Sequence, residues 1–139
     1  MKQNSEVGGS EPVSDLKMES QERGDVVVIY PRGFINAHTV RQFEQELERS
    51  VASGRTQIVI NGSGLSYIAS AGLGAIMGHI EEVRSKGGDI RLTDLNETVL
   101  NIFEVLGFNH LCRLFDSEAD AVASYTSLST PDSKDSKEQ

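Results

Sequence analysis

The stretch LSYIASAGLGAIMGHI, residues 65–80, decides how the chain is interpreted. It begins as the end of a strand, passes through small residues, and continues with the apolar spacing of a helix. Ser70 stands at this junction, with Ala69 before it and Ala71 and Gly72 after it. Because small neighbours leave a hydroxyl uncovered, we expect Ser70 to be accessible at the start of a helix.

Two interpretations of Ser70 follow from its position. A serine before a helix can cap the backbone donors of the first turn, which would make its role structural. Alternatively, Ser70 follows an apolar strand, and open α/β sheets carry function at the carboxyl ends of their strands. A helix N-terminus also stabilises negative charge by about 0.3–1 kcal/mol, so the fold would tolerate a phosphate on this serine.

Hydrophobic periodicity on both sides of this stretch alternates between strands and helices. The pattern predicts strands in DLKMES, VVVIY, QIVI, DIRLTD and LCRLF, and helices in VRQFEQELERSV, the segment after Ser70, NETVLNIFEVLG and SEADAVASY. Pro31 is expected to close the second strand, and RGFINAHT to form a loop. The fold class predicted is therefore α/β, a single domain with a mixed central sheet of about five strands and about four helices.

Length and composition indicate one domain between polar tails. The chain has 139 residues and a net charge of −8. We predict tails at residues 1–13 and 127–139 and a domain at residues 14–126. The negative charge argues against direct nucleic-acid binding, because phosphate backbones need clustered Lys and Arg.

The same sequence predicts a cytoplasmic protein that does not insert into a membrane. No stretch approaches the roughly 18 apolar residues that span a bilayer, and the N-terminus lacks the apolar region of a secretory signal. Cys112 is the only cysteine, which favours a reducing compartment and a buried structural thiol.

Three glycines after Ser70 raise the alternative of a dinucleotide site. Gly72, Gly74 and Gly78 resemble a Gly-rich fingerprint, and Asp94 follows about 20 residues later, as a ribose-binding acid would. Helix packing is the interpretation we favour, in which Gly74 and Gly78 let one helix face lie flat against its neighbour.

Catalysis by Ser70 is not favoured. A hydrolase elbow needs Gly-x-Ser-x-Gly, and the first glycine is replaced by Ile68. His79 lies about 13 Å along the helix by its rise, too far to act as a base, and His38 and His110 fall in loops. No Cys/His cluster indicates a metal site. We therefore expect no enzyme activity and no cofactor.

The residues around Ser70 resemble the STAS-domain family of bacterial anti-sigma factor antagonists. The family motif is roughly Asp-Ser-Ser/Ala-Gly-Leu-Gly, and residues 69–74 read ASAGLG. The resemblance continues through RGFINAHTVRQFEQEL, with Gly33, Ile35 and Asn36 in register, and through residues 90–125. It covers about residues 15–125.

The resemblance implies a partner switch. The free protein would bind an anti-sigma factor that is also a serine kinase, the kinase would phosphorylate Ser70, and a PP2C-type phosphatase would reverse this. The partner-binding residues implied are Asn36, Ala69, Ala71, Gly72, Leu73 and Gly74. The alternative is a STAS-like scaffold, sensor or nucleotide-binding module that is never phosphorylated.

Three positions depart from the family pattern, which usually has Asp where this chain has Asn36, Asn61 and Ala69. Two interpretations stay open. If these acids orient the serine or a metal nucleotide, a standard kinase would not phosphorylate Ser70. If they do not, less negative charge around Ser70 makes a phosphate easier to hold.

Overall fold

The structure, a computed structural model, describes residues 16–126. The predicted tails at 1–13 and 127–139 lie outside the described residues. The six strands are β1 (Leu16–Arg23), β2 (Val26–Ile35), β3 (Gln57–Asn61), β4 (Leu65–Ile68), β5 (Asp89–Thr93) and β6 (Arg113–Phe115). The four α-helices are α1 (Val40–Ala52), α2 (Ser70–Ser85), α3 (Glu97–Val105) and α4 (Glu118–Thr126), and Phe108–His110 form a short 3-10 turn.

The strands form one mixed sheet in the order β1-β2-β3-β5-β6, with β4 paired to β2 off this path. β1 and β2 are an antiparallel hairpin, and every other pair is parallel. The predicted α/β class, the mixed sheet and the four helices are confirmed. The additional strand is β4, within the stretch that begins at Leu65.

Pro31 does not close the second strand, as the sequence had suggested. β2 continues through it to Ile35, so part of the expected loop is strand. Proline lacks a backbone N–H and interrupts a ladder at the residue where it stands. Here β2 pairs with β3 up to Ile29 and with β4 from Gly33 onward. Pro31 therefore falls in the gap between the two parallel partners, where no donor is required on that side.

The sheet separates two apolar clusters. α1, α2 and α3 pack on one face, where Phe43, Ile76 and Phe103 join the alternate strand residues Ile58 and Ile60. α4 covers the other face, where Ala121 and Tyr125 contact Val28 and Val59. Each strand residue is assigned to one cluster by the alternation of side chains along a strand.

Helix boundaries follow local sequence signals. The Asn96 side chain accepts a hydrogen bond from the backbone N–H of Val99 at 2.8 Å, so it caps α3. Ser117 Oγ accepts from the N–H of Asp120 at 3.1 Å at the start of α4. Across the described residues, none of the helices has the length and apolar character needed to cross a membrane.

Candidate functional site

The start of α2 is held at the end of β2. Ala69 precedes the helix in extended conformation, with φ −89° and ψ 171°. Its N–H donates to the carbonyl of Ile35 at 2.8 Å. Ser70 is therefore the first residue of the helix, and it follows the short strand β4 rather than the buried strand β3.

Ser70 does not cap α2. The cap position belongs to Ala69, which has no side-chain acceptor. Within residues 16–126 the Ser70 hydroxyl forms no hydrogen bond with another group, and Ser70 and Ala71 are both exposed. The hypothesis of a capping serine is therefore wrong, and the hydroxyl lies free on the surface.

The first turn of α2 is electrostatically open to an anion. It contains no acidic residue. The N–H groups of Gly72 and Leu73 bond to the carbonyl of Ala69 at 2.9 and 3.2 Å, whereas those of Ser70 and Ala71 have no acceptor among the described residues. Unpaired donors and the helix dipole together favour negative charge at this point.

Gly72 and Leu73 belong to the core rather than to the exposed surface. Leu73 is 1% exposed. A Cβ on Gly72 would lie 2.6 Å from Cγ2 of Ile35 and 2.7 Å from Cγ1 of Ile68. Their small or apolar character serves the packing of α2 on β2 and β4, and their expected contact with a partner stays a prediction.

Gly74 and Gly78 have the opposite placement. Both are exposed, and a Cβ added to either would meet no atom within 4 Å. The expectation that these two glycines bring one helix face against a neighbour is wrong, and Gly72 is the glycine that packing requires. Ala71, Gly74 and Gly78 instead form an exposed stripe of small residues along α2.

Asn36 organises the turn that leads from β2 into α1. Its Oδ1 accepts from the N–H groups of His38 and Thr39 at 2.9 and 3.2 Å. Thr39 Oγ1 donates to the carbonyl of Phe34 at 2.7 Å. Asn36 directly follows Ile35, whose carbonyl accepts the hydrogen bond from Ala69. The end of β2 therefore positions both this turn and the start of α2.

Asn61 lies on the other face of the sheet from α2. Its Nδ2 donates to Glu118 Oε1 of α4 at 3.0 Å, and its Oδ1 accepts from the N–H of Ser63 at 2.9 Å. Its substitution for the usual Asp therefore does not remove a charge that faces Ser70, because the side chain is committed to α4.

Tyr67 is a residue of this region that the sequence analysis missed. It lies on β4, is 41% exposed, and is among the few large exposed apolar residues in the described part of the chain. The neighbouring Ser66 is also exposed. The sequence signal that could have been recognised is an aromatic residue three positions before Ser70.

The alternatives for this site receive no support from the geometry. His79 directs Nδ1 to the carbonyl of Ala75 at 2.8 Å, and no histidine of the described residues hydrogen-bonds to Ser70. The side chains of Ile35 and Ile68 occupy the space next to Gly72, so the backbone at Gly72 is not accessible to a pyrophosphate group. Among residues 16–126 no three His, Cys, Asp or Glu side chains converge to hold a metal ion.

Comparison with known proteins agrees with this architecture. The family model of the STAS domain matches residues 17–121. An anti-sigma F factor antagonist of Paenibacillus polymyxa is 23% identical over 109 residues, covering 78% of this chain and 93% of that protein. The anti-sigma factor antagonist SpoIIAA in its unphosphorylated form has a TM-score of 0.69 at 24% identity, covering 79% of this chain and 96% of that one. The Bacillus SpoIIAA in the phosphorylated form has a TM-score of 0.61 at 24% identity, with 80% and 99% covered.

Proposed function

Because this chain belongs to the STAS-domain family, we propose that it is an anti-sigma factor antagonist in a partner-switching cascade, with Ser70 as its phosphorylated residue. It binds an anti-sigma factor that has serine kinase activity, and a PP2C-type phosphatase restores the free hydroxyl. The protein acts by binding rather than by catalysis. The observation that carries the proposal is the exposed, unbonded Ser70 hydroxyl at the start of α2.

A phosphate on Ser70 is compatible with the fold. Phosphorylation adds a charge of about −1.5 to −2 and three acceptor oxygens. The unpaired N–H groups of Ser70 and Ala71 are suitable donors for those oxygens, and no acidic residue in the first turn repels them. The phosphorylated protein therefore stays folded and changes mainly at its surface.

The same phosphate is unfavourable for a docked partner. The exposed residues close to Ser70 along the chain include Tyr67 on β4 and Ala71 and Gly74 on α2, and Gly78 continues the exposed stripe about two turns after Ser70. A partner packed closely on these small residues would have to desolvate the dianion. Each 1.4 kcal/mol of penalty lowers affinity about tenfold, so a few kcal/mol release the partner.

The names of the relatives support a regulatory role over the alternatives. The Paenibacillus polymyxa relative is an anti-sigma F factor antagonist, and SpoIIAA has been solved in unphosphorylated and phosphorylated forms. A non-phosphorylated scaffold, sensor or nucleotide-binding module is the second hypothesis. Nothing in the geometry of Gly72 favours its nucleotide-binding form.

The test compares Ser70→Asp and Ser70→Ala in binding to the anti-sigma factor of the same host, measured by titration calorimetry. We expect Ser70→Ala to bind like the unchanged protein and Ser70→Asp to bind at least tenfold more weakly. Ser20→Asp adds the same charge at an exposed position of β1 and is the matched control. Equal affinity of Ser70→Asp and Ser70→Ala would contradict the proposal.

The modification itself is tested by intact mass. Protein isolated from its host, or incubated with the anti-sigma factor and Mg-ATP, should gain one phosphate that maps to Ser70 and is removed by a PP2C-type phosphatase. Ser70→Ala should gain none. A protein that is never phosphorylated, while still binding its partner, would favour the scaffold hypothesis.

A further inference from the structure

Three exposed apolar side chains cluster where α3 ends. Val105 is 73% exposed, Leu106 56% and Leu111 48%. The core contacts of this segment are made instead by Phe103 and Phe108, which pack edge to face at 6.3 Å, and none of the three exposed residues belongs to the core cluster. Gly107, with φ +80°, reverses the chain between them. Neighbouring exposed apolar side chains of this size commonly mark interaction sites.

One of the three, Leu111, lines a groove beside the edge strand β6. The groove has a volume of about 620 Å³ and is lined by residues that include Arg84, Glu104, His110, Leu111, Arg113 and Leu114. Among the described strands β6 pairs only with β5, so its other edge is open. An open edge is where an extended segment can add as a further strand.

Two arginines, Arg84 and Arg113, line the groove although the chain has a net charge of −8. Arg84 and Arg91 both pair with Asp89, at 2.8 and 2.9 Å. Arg113 stands opposite Arg91 in the register of β5 and β6. Within residues 16–126 the Arg113 guanidinium forms no ion pair or hydrogen bond, and it lies 5.2 Å from the ring centroid of Phe115.

Arg113 therefore has no carboxylate partner among the described residues. Partial burial lowers the pKa of Arg113 and the charge of Arg91 lowers it further, while the charge of Asp89 offsets this only in part. Two arginines, Arg84 and Arg91, already pair with Asp89, and Glu104 is the carboxylate on the α3 side of the groove. A carboxylate brought to Arg113 would compensate a charge that the fold leaves unbalanced.

The groove is distant from Ser70. Arg84 lies near the end of α2, fourteen residues after Ser70, which is about 21 Å by helical rise. A molecule in the groove can therefore be bound while the Ser70 surface is free or occupied.

We propose that Val105, Leu106, Leu111 and Arg113 form a second docking surface, which binds an acidic, extended segment of a partner protein that also carries apolar side chains. The apolar side chains of that segment contact Val105, Leu106 and Leu111, its backbone lies along β6, and a carboxylate pairs with Arg113. This surface is separate from the one that Ser70 controls.

The test uses the full chain and two labelled synthetic peptides, one alternating Glu and Leu and the other alternating Lys and Leu, followed by fluorescence anisotropy. We expect the acidic peptide to bind and the basic peptide not to bind. Arg113→Glu and Leu106→Glu should each weaken binding at least tenfold. Arg41→Glu makes the same charge change on the exposed surface of α1 and should leave the affinity unchanged.

Amide shifts in nuclear magnetic resonance spectra locate the peptide, and we expect them at Leu106, Leu111 and Arg113 but not at Ser70. Equal binding of both peptides, or full binding by Arg113→Glu, would overturn the proposal. So would complete competition by inorganic phosphate, which would reduce the groove to a simple anion site. Concentration-dependent dimerisation that Leu106→Glu abolishes would assign the surface to a second copy and overturn it as well.

Discussion

Asn36 and Asn61 occupy positions where the family pattern usually has Asp, yet their side chains have different roles. Asn36 uses its oxygen to accept two backbone N–H groups, which an aspartate could also do. Asn61 uses its nitrogen as well, as a donor to Glu118. An aspartate at position 61 has no such donor, so the amide is specifically required where α4 meets the sheet.

Asn61→Asp is therefore expected to destabilise the protein. The new carboxylate would face Glu118, which is partly buried and also accepts from the Tyr30 hydroxyl at 2.9 Å. We expect a loss of about 1–3 kcal/mol in the free energy of unfolding at neutral pH. Urea denaturation measures it, with Asn36→Asp as the matched control expected to change little. An unchanged midpoint for Asn61→Asp would show that Glu118 does not depend on this amide.

The Tyr125 hydroxyl is buried on the α4 face of the sheet. It donates toward the carbonyls of Asp89 and Ile58 at 2.6 and 2.8 Å and lies 3.2 Å from the N–H of Ile58 as an acceptor. The Arg91 guanidinium lies 4.0 Å from the ring centroid. Burial raises the pKa of Tyr125 above its ordinary value of 10, although Arg91 opposes this.

The folded protein consequently keeps the Tyr125 proton at a pH where the unfolded chain has lost it. Its stabilising contribution is complete below pH 10 and decreases as the pH rises above that value. Tyr125→Phe should lower stability by about 1–3 kcal/mol at neutral pH and make the alkaline decline less steep. Urea unfolding on both sides of pH 10 measures both effects. Identical alkaline slopes for the two proteins would contradict the assignment.

At the scale of the element, the glycines of helix α2 have two different roles, one in packing and one at the surface. Gly72 is buried because Ile35 and Ile68 leave no room for a Cβ. Gly74 and Gly78 are exposed and unconstrained by packing, although glycine weakens a helix interior by about 1 kcal/mol relative to alanine. An element that keeps destabilising glycines on an open face is consistent with a surface on which a partner packs closely.

Alanine at these positions should give opposite results. Gly72→Ala should destabilise by about 1–3 kcal/mol, because its Cβ would force Ile35 or Ile68 aside. Gly74→Ala should stabilise by up to about 1 kcal/mol. Chemical denaturation measures both changes. If Gly72→Ala were as stable as Gly74→Ala, the placement of α2 on the sheet would be wrong.

The larger Gly74→Leu tests the surface rather than the fold. Because a Cβ at Gly74 meets no atom within 4 Å, we expect the variant to fold normally. It should nevertheless bind the anti-sigma factor at least tenfold more weakly, as measured by calorimetry. Undiminished affinity would place the partner away from the Ala71–Gly74–Gly78 stripe.

At the scale of the whole molecule, the two proposed surfaces lie at opposite ends of α2. Substitutions more than about 10 Å apart without shared contacts are usually additive within about 0.5 kcal/mol. We expect Arg113→Glu to leave anti-sigma binding unchanged and Ser70→Asp to leave binding of the acidic peptide unchanged. The double variant should show the sum of the two effects in each assay. Coupling well above 0.5 kcal/mol would mean that the surfaces communicate or overlap.

Local patterns were sufficient for most of the fold. The helices that follow Asn36, Asn96 and Ser117 depend on residues within a few positions of one another, so they could be predicted directly. The prediction that Pro31 ends the second strand was wrong because β2 changes its parallel partner from β3 to β4 around this residue, which allows a proline within the strand. β4 was missed as a separate strand because its pairing with the end of β2 involves residues about 30 positions away.

The sequence by itself determined the alternation of strands and helices, the family, and the presence of a small-residue junction around Ser70, because periodicity and short motifs are local properties. Tertiary structure alone decided which side chains face outward. It buried Gly72 and Leu73, exposed Gly74, turned Asn61 toward α4, and left Arg113 beside Arg91 without a carboxylate. The physical reason is that burial and charge compensation are set by contacts between distant segments, which neighbouring residues do not encode.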